Sequence, residues 1–108
     1  MSRPYSVALI TVPDKAAADK LVDGLVNGKL AACVNVVPGV ESTYWWKGKV
    51  EKAKELILLA KTRTDLMPEV CEFVRKNHPA SIPEIISWPI DRGFELYLDW
   101  VGANTRFA

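Results

Sequence analysis

Histidine and cysteine are scarce in this chain: 108 residues hold one of the first, His78, and two of the second, Cys33 and Cys71. The cysteines show neither CxxC nor zinc-ribbon spacing, which argues against a structural zinc site. They read as reduced thiols, and the expected location is cytoplasmic. Net charge is nearly absent too, since 14 Lys and Arg against 13 Asp and Glu leave +1. Nothing electrostatic therefore favours nucleic acid or an anionic membrane as a partner. No apolar run approaches the ~20 residues needed to span a bilayer. Residues 1–5 lead straight into a strand pattern without a secretory or organellar signal. Walker loop, Rossmann glycines, nucleophile elbow and clustered acid–base pair are all missing. A binding protein rather than an enzyme is expected.

What the chain does have is 49% apolar residues beside 25% charged ones, enough for one domain, 1–108, with a single core. Its organising stretch runs from Leu30 to Thr62 and reads as two extended arms meeting at Lys47-Gly48. A glycine there accepts the positive φ of a tight hairpin turn. Each arm is about 13 to 15 residues long, against the ~5 or 6 of an ordinary strand. Pro38-Gly39 interrupts the first arm, and a bulge or bend is expected there because Pro cannot donate to the ladder.

Around the hairpin, residues 6–12 form an apolar strand. Asp14 is placed to cap a helix reaching Asn27, with Ala18, Leu21, Val22 and Leu25 as its stripe and Gly28 as its stop. Thr64 or Asp65 caps a second helix, striped by Leu66, Val70, Phe73 and Val74 and ended by His78-Pro79. A short edge strand within residues 82–90 follows. A last helix after Gly93 carries Phe94, Tyr97, Leu98 and Val101 along one side. The order β-α-β-β-α-β plus a C-terminal helix predicts an α+β, ferredoxin-like split βαβ fold with both long helices on one sheet face. The strand patterns 7–12, 34–37 and 56–60 are nearly unbroken apolar runs rather than alternating ones. Both sheet faces need cover, helices cover one, and copies of the same chain are the simplest cover for the other.

The same residues resemble the CutA family of divalent-cation-tolerance proteins. The likeness spans nearly the whole chain: Thr11-Val12-Pro13, then Lys29 through Val36 with Pro38, Ser42, Tyr44, Trp46, Gly48, Glu55 and Lys61-Thr62. It continues through His78-Pro79, Pro83-Glu84, Pro89 and residues 97–100. The resemblance implies a homotrimer whose long hairpins reach across subunits, and binding of divalent metal, copper in particular, with no obligatory cofactor. Departures from the family pattern fall at Ile10, Asn77, Ala80 and Trp45.

Cys33 offers a soft thiolate for copper or zinc, and first of all a small apolar side chain for a buried strand. His78 offers an imidazole, the commonest transition-metal ligand, and equally a cation at a helix C-terminus. These two are the candidate metal ligands. Trp46, Glu55, Lys61 and Glu84 are candidates for a cleft between subunits, and Tyr44, Trp45 and Trp46 for the trimer interface. The alternative function is a trimeric small-molecule sensor or protein-interaction scaffold, by analogy with signalling trimers of this fold.

Overall fold

The computed structural model describes residues 4–107. Its elements are β1 (Tyr5–Val12), α1 (Lys15–Asn27), β2 (Cys33–Trp46), β3 (Lys49–Arg63), α2 (Met67–Asn77), β4 (Ile85–Pro89) and α3 (Glu95–Ala103). A single 3-10 turn, Thr64–Leu66, joins β3 to α2. The sheet order is β2-β3-β1-β4, with every neighbouring pair antiparallel. β1 and β2 consequently run parallel and are joined through α1, as β3 and β4 are through α2. This is the split βαβ arrangement expected from the element order.

Each helix is placed by its own sequence. The Asp14 carboxylate accepts from Ala17 N–H at 2.8 Å, satisfying one of the orphan donors of α1. At the other end, Leu30 N–H reaches Leu25 O at 2.9 Å and Lys29 N–H reaches Val26 O at 3.0 Å. That is a Schellman closure, and Leu25 and Leu30 are both buried in the core. The left-handed residue is Lys29, with φ 56°, while Gly28 has φ −79°. The expected glycine stop thus lies one residue too early for the strained position. Neither Thr64 nor Asp65 caps α2, contrary to expectation: β3 passes through the 3-10 turn first, and no side chain caps either segment. The Thr64 hydroxyl lies 2.7 Å from Ser6 Oγ instead.

Ala8, Ile10 and Val12 of β1 and Leu58 and Ala60 of β3 face Ala18, Leu21 and Leu25 of α1 and Val70 and Val74 of α2. Gly24 is part of this contact, because a Cβ at that position would collide with Phe73 Cζ, at the tip of the ring. Its low helix propensity is the cost of bringing the two helices together.

The hairpin turns at Lys47 and Gly48, both at positive φ (50° and 78°), between the paired residues Trp46 and Lys49. Two positive φ values mark the turn whose twist matches its strands. The interruption at Pro38-Gly39 is a bulge: Val37 pairs with Ile57 and Val40 with Glu55, so two residues of β2 oppose Leu56 alone. Gly39, at φ 74°, takes the left-handed position. The molecule is drawn out to 44 × 26 × 23 Å.

The second sheet face is apolar as well. Val7, Leu9, Ile57 and Leu59 are half-buried there, while Val37, Ile86 and Trp88 stay exposed. α3 covers only one end of it, with Gly102 packed on the Tyr5 ring and Arg63 Nη2 donating to Gly102 O at 2.6 Å. The expected α3 stripe is only partly covered, and Phe94 lies one residue ahead of the helix. Val101 is buried, but Phe94 is 72% exposed and Tyr97 is also exposed. The helix meets the sheet through Gly102, at the end that carries Tyr5 and Arg63.

Two substitutions test this account. Lys29→Gly is expected to raise stability in urea unfolding by about 1 kcal/mol by relieving the left-handed backbone. Gly24→Ala is expected to lower it by about 1–3 kcal/mol through overpacking against Phe73, despite alanine's higher helix propensity. A stabilised Gly24→Ala would show that the helix contact is loose.

Candidate functional site

Where β1 ends at Val12, β2 and β3 continue past it as a free ribbon, and the segment from α2 to β4 crosses nearby. Between ribbon and segment lies an open cleft of ≈ 690 Å³. From the ribbon, Ser42, Tyr44 and Trp46 line it at alternate positions, together with Glu55. Alternation along a strand puts such residues on one face. The bulge matters here, because shifting β2 by one residue exchanges the faces of everything beyond it. With that shift, Val40 stands opposite Glu55, Tyr44 opposite Glu51 and Trp46 opposite Lys49. Trp45 consequently belongs to the opposite face with Val50, and is 74% exposed.

His78, Ile82, Pro83 and Glu84 line the other wall. His78 ends α2 in an extended conformation (φ −87°, ψ 139°) ahead of Pro79. Its Nε2 lies 2.7 Å from Thr11 O, and Ala80 N–H donates to Nδ1 at 3.0 Å. A carbonyl can only accept, so Nε2 carries the proton and Nδ1 is bare. The imidazole is therefore neutral, with both nitrogens engaged, and it ties the cleft wall to the end of β1.

That leaves Glu55 and Glu84. Neither has a hydrogen-bond or ion-pair partner among the described residues, and no Lys or Arg lines the cleft. Its electrostatic character is that of two carboxylates without counter-charge, beside the hydroxyls of Thr11, Ser42 and Thr43.

The structure brings together Tyr44, Trp46, Glu55, His78 and Glu84. It does not bring Lys61 or Cys33 to them. Those two are paired with each other across β2 and β3, and the Lys61 ammonium donates to Asn35 Oδ1. From Ile57, which pairs with Thr11 beside the cleft, Lys61 is four residues along β3, about 13 Å at strand rise. Cys33 and His78 therefore belong to different parts of the sheet. Cys33 adjoins Tyr97, whose hydroxyl is pushed above its ordinary pKa by burial and then by the Cys33 thiol. Tyr97 in turn stacks on Trp100, with ring centroids 5.6 Å apart. Among the described residues, no group of three or more His, Cys, Asp or Glu side chains is placed to hold a metal ion. Sequence reasoning missed Thr11, Thr43, Ser81 and Ile82 as lining residues. The spacing of Ser42, Tyr44 and Trp46 carried the signal, but only the bulge says which face they occupy.

Fold and cleft together define a ferredoxin-like domain with a polar, acidic groove under an overlong hairpin. The model of the family described as CutA1 divalent ion tolerance protein matches residues 6–104, and the chain belongs to that family. It is 48% identical over 99 residues to the divalent-cation tolerance protein CutA of Thermus thermophilus, covering 92% of this chain and 96% of that protein. It is 46% identical over 103 residues to the chloroplastic CutA 1 of Oryza sativa, covering 95% of this chain but only 58% of that one. The chain thus spans somewhat more than half the length of its plant relative. Among solved structures, rice CutA1 superposes with a TM-score of 0.94 at 45% identity, covering 97% of this chain and 96% of that one. The Thermus thermophilus protein superposes at 0.92 and 46%, covering 94% and 99%.

The tautomer assignment has a direct check. Nitrogen-detected NMR at neutral pH is expected to find the His78 proton on Nε2, and His78→Ala to cost about 1–3 kcal/mol in urea unfolding through its two lost bonds. A proton on Nδ1, or an unaffected stability, would release the imidazole from this structural role.

Proposed function

We propose that the protein is a homotrimer that binds divalent metal ions, copper foremost, in clefts between its subunits as part of a cellular metal response. The observation that carries this reading is the pair of carboxylates, Glu55 and Glu84, without a partner among the described residues, in a cleft lined by no Lys or Arg. Two carboxylates flanked by hydroxyls fit a divalent cation, and Cu(II) heads the affinity order of nitrogen and oxygen sites. They do not complete a coordination sphere alone. Further donors come from a neighbouring copy packed on the apolar second face; Tyr44 and Trp46 meet it at the rim of the cleft they line, and Trp45, on the other face of the ribbon, meets it outside the cleft. In this reading His78 acts as a ligand only by releasing Thr11 or Ala80, and Cys33 is a thiol outside the cleft. Lys61, held on Asn35, supports the strand pair rather than the cleft. Both cysteines are free, which accords with a cytoplasmic location. Relatives are described as chloroplastic in rice and periplasmic in Archaeoglobus fulgidus.

A second reading, a sensor of small organic ligands in the same cleft, is favoured by volume. The ≈ 690 Å³ exceed the needs of one ion and fall within the ~300–1,000 Å³ of small-molecule sites.

Sedimentation equilibrium at micromolar concentration is expected to return three times the 12.0 kDa chain mass; a stable monomer removes the assembly. In titration calorimetry Cu(II) is expected to bind, and Glu55→Gln with Glu84→Gln to weaken it about tenfold or more. Unchanged affinity would take the metal out of the cleft.

A further inference from the structure

The cleft is more than an acidic groove. Tyr44 and Trp46 form an aromatic wall from the ribbon, Ile82 and Pro83 an apolar edge from the opposite segment, and Glu55 and Glu84 stand one on each wall. The chain's own Lys47 ammonium already lies over the Trp46 ring, 5.9 Å from its centroid. That contact is independent of the carboxylates; it shows that the ring takes a cation, and a ligand ammonium on the same face takes the place of Lys47. The imidazole of His78, neutral because Nε2–H donates and Nδ1 accepts, adds no opposing charge.

A bare metal ion uses none of the aromatic surface, and among the described residues no ligand triad is offered to it. An organic polycation uses all of it. We infer that the cleft binds an aliphatic polyamine, its ammonium groups on Glu55 and Glu84 and its methylene chain along Tyr44, Trp46 and Ile82. Ammonium groups need no fixed coordination number, so two carboxylates on opposite walls suffice for two of them. The methylenes between them account for a volume that a single hydrated ion does not. No Lys or Arg is among the lining residues and Lys47 is held on Trp46 at the ribbon tip, so the cleft lacks the basic cluster that phosphate and carboxylate ligands need. The inference rests on reading the cleft as a cation site and names the class of cation.

The test uses the full-length protein in its native assembly with spermidine as probe and magnesium chloride at equal ionic strength as control. Spermidine is expected to raise the melting temperature and change tryptophan emission where magnesium does not. Glu55→Gln with Glu84→Gln is expected to weaken spermidine about tenfold or more, and Trp46→Leu to weaken it several-fold and abolish the emission change. Should Trp46→Leu fail to fold, Tyr44→Leu replaces it with the same expected loss of affinity. An equal response to magnesium, or spermidine affinity unchanged by the double carboxylate substitution, overturns the inference. Cu(II) titrated into the same proteins separates the two readings. Copper retained where spermidine is lost supports the polyamine and overturns the metal-in-cleft reading. Copper lost in the double variant, with spermidine never bound by the parent protein, overturns the polyamine alone.

Discussion

A four-stranded sheet with two apolar faces and only two long helices on one of them is the constraint on which the rest of this structure depends. Ala8, Ile10, Leu58 and Ala60 are fully buried under α1 and α2, while Val7, Leu9, Ile57 and Leu59 point the other way with only partial cover. α3 lies over one end of that second face and leaves Ile86, Trp88 and Val37 in water. Contiguous exposed apolar area of this kind marks a surface that meets another one. The oligomer proposed for the chain follows from that imbalance rather than from any one contact.

The hairpin and the cleft are consequences of the same geometry. β2 and β3 outrun β1, so beyond Val12 the ribbon has no third strand, and its exposed side becomes a wall. The single extra residue at Pro38-Gly39 sets which side chains that wall presents. Without it, Trp45 would occupy the face that Tyr44 and Trp46 now hold, and Glu55 would face a different set of partners. His78 does the corresponding work on the other side. By holding Thr11 O and Ala80 N–H at once, it fixes the segment that carries Glu84 against the end of β1.

The electrostatics of the site are set by what is absent from it. Elsewhere on the surface carboxylates find partners, as Glu72 does with Arg75 and Lys76, whose hydrogen bonds, that of Arg75 first, hold its carboxyl below the ordinary range. Glu55 and Glu84 have none among the described residues. An unpaired charge pair facing an aromatic wall is a poor contribution to stability and a good one to recognition of a cation.

Much of the fold was legible in residue order alone. Asp14 before an apolar stripe, Lys47-Gly48 between β-branched runs and Pro38-Gly39 within one of them are local signals. Each acts through its own backbone, so no tertiary contact is needed to read it. The chain by itself thus determined the split βαβ order, the overlong hairpin, its bulge and the need to cover a second face. Other features depended on residues distant in sequence. Lys29, rather than Gly28, took the left-handed position because Leu30 had to reach the core beside Leu25. The aromatic stripe of α3 stayed half in water because that helix meets Tyr5 and Arg63 at the sheet end. Cys33 and His78, plausible as a pair in one dimension, were placed at different ends of the sheet by strand register. Glu55, His78 and Glu84 were brought to one cleft by the same register, which a local pattern cannot contain.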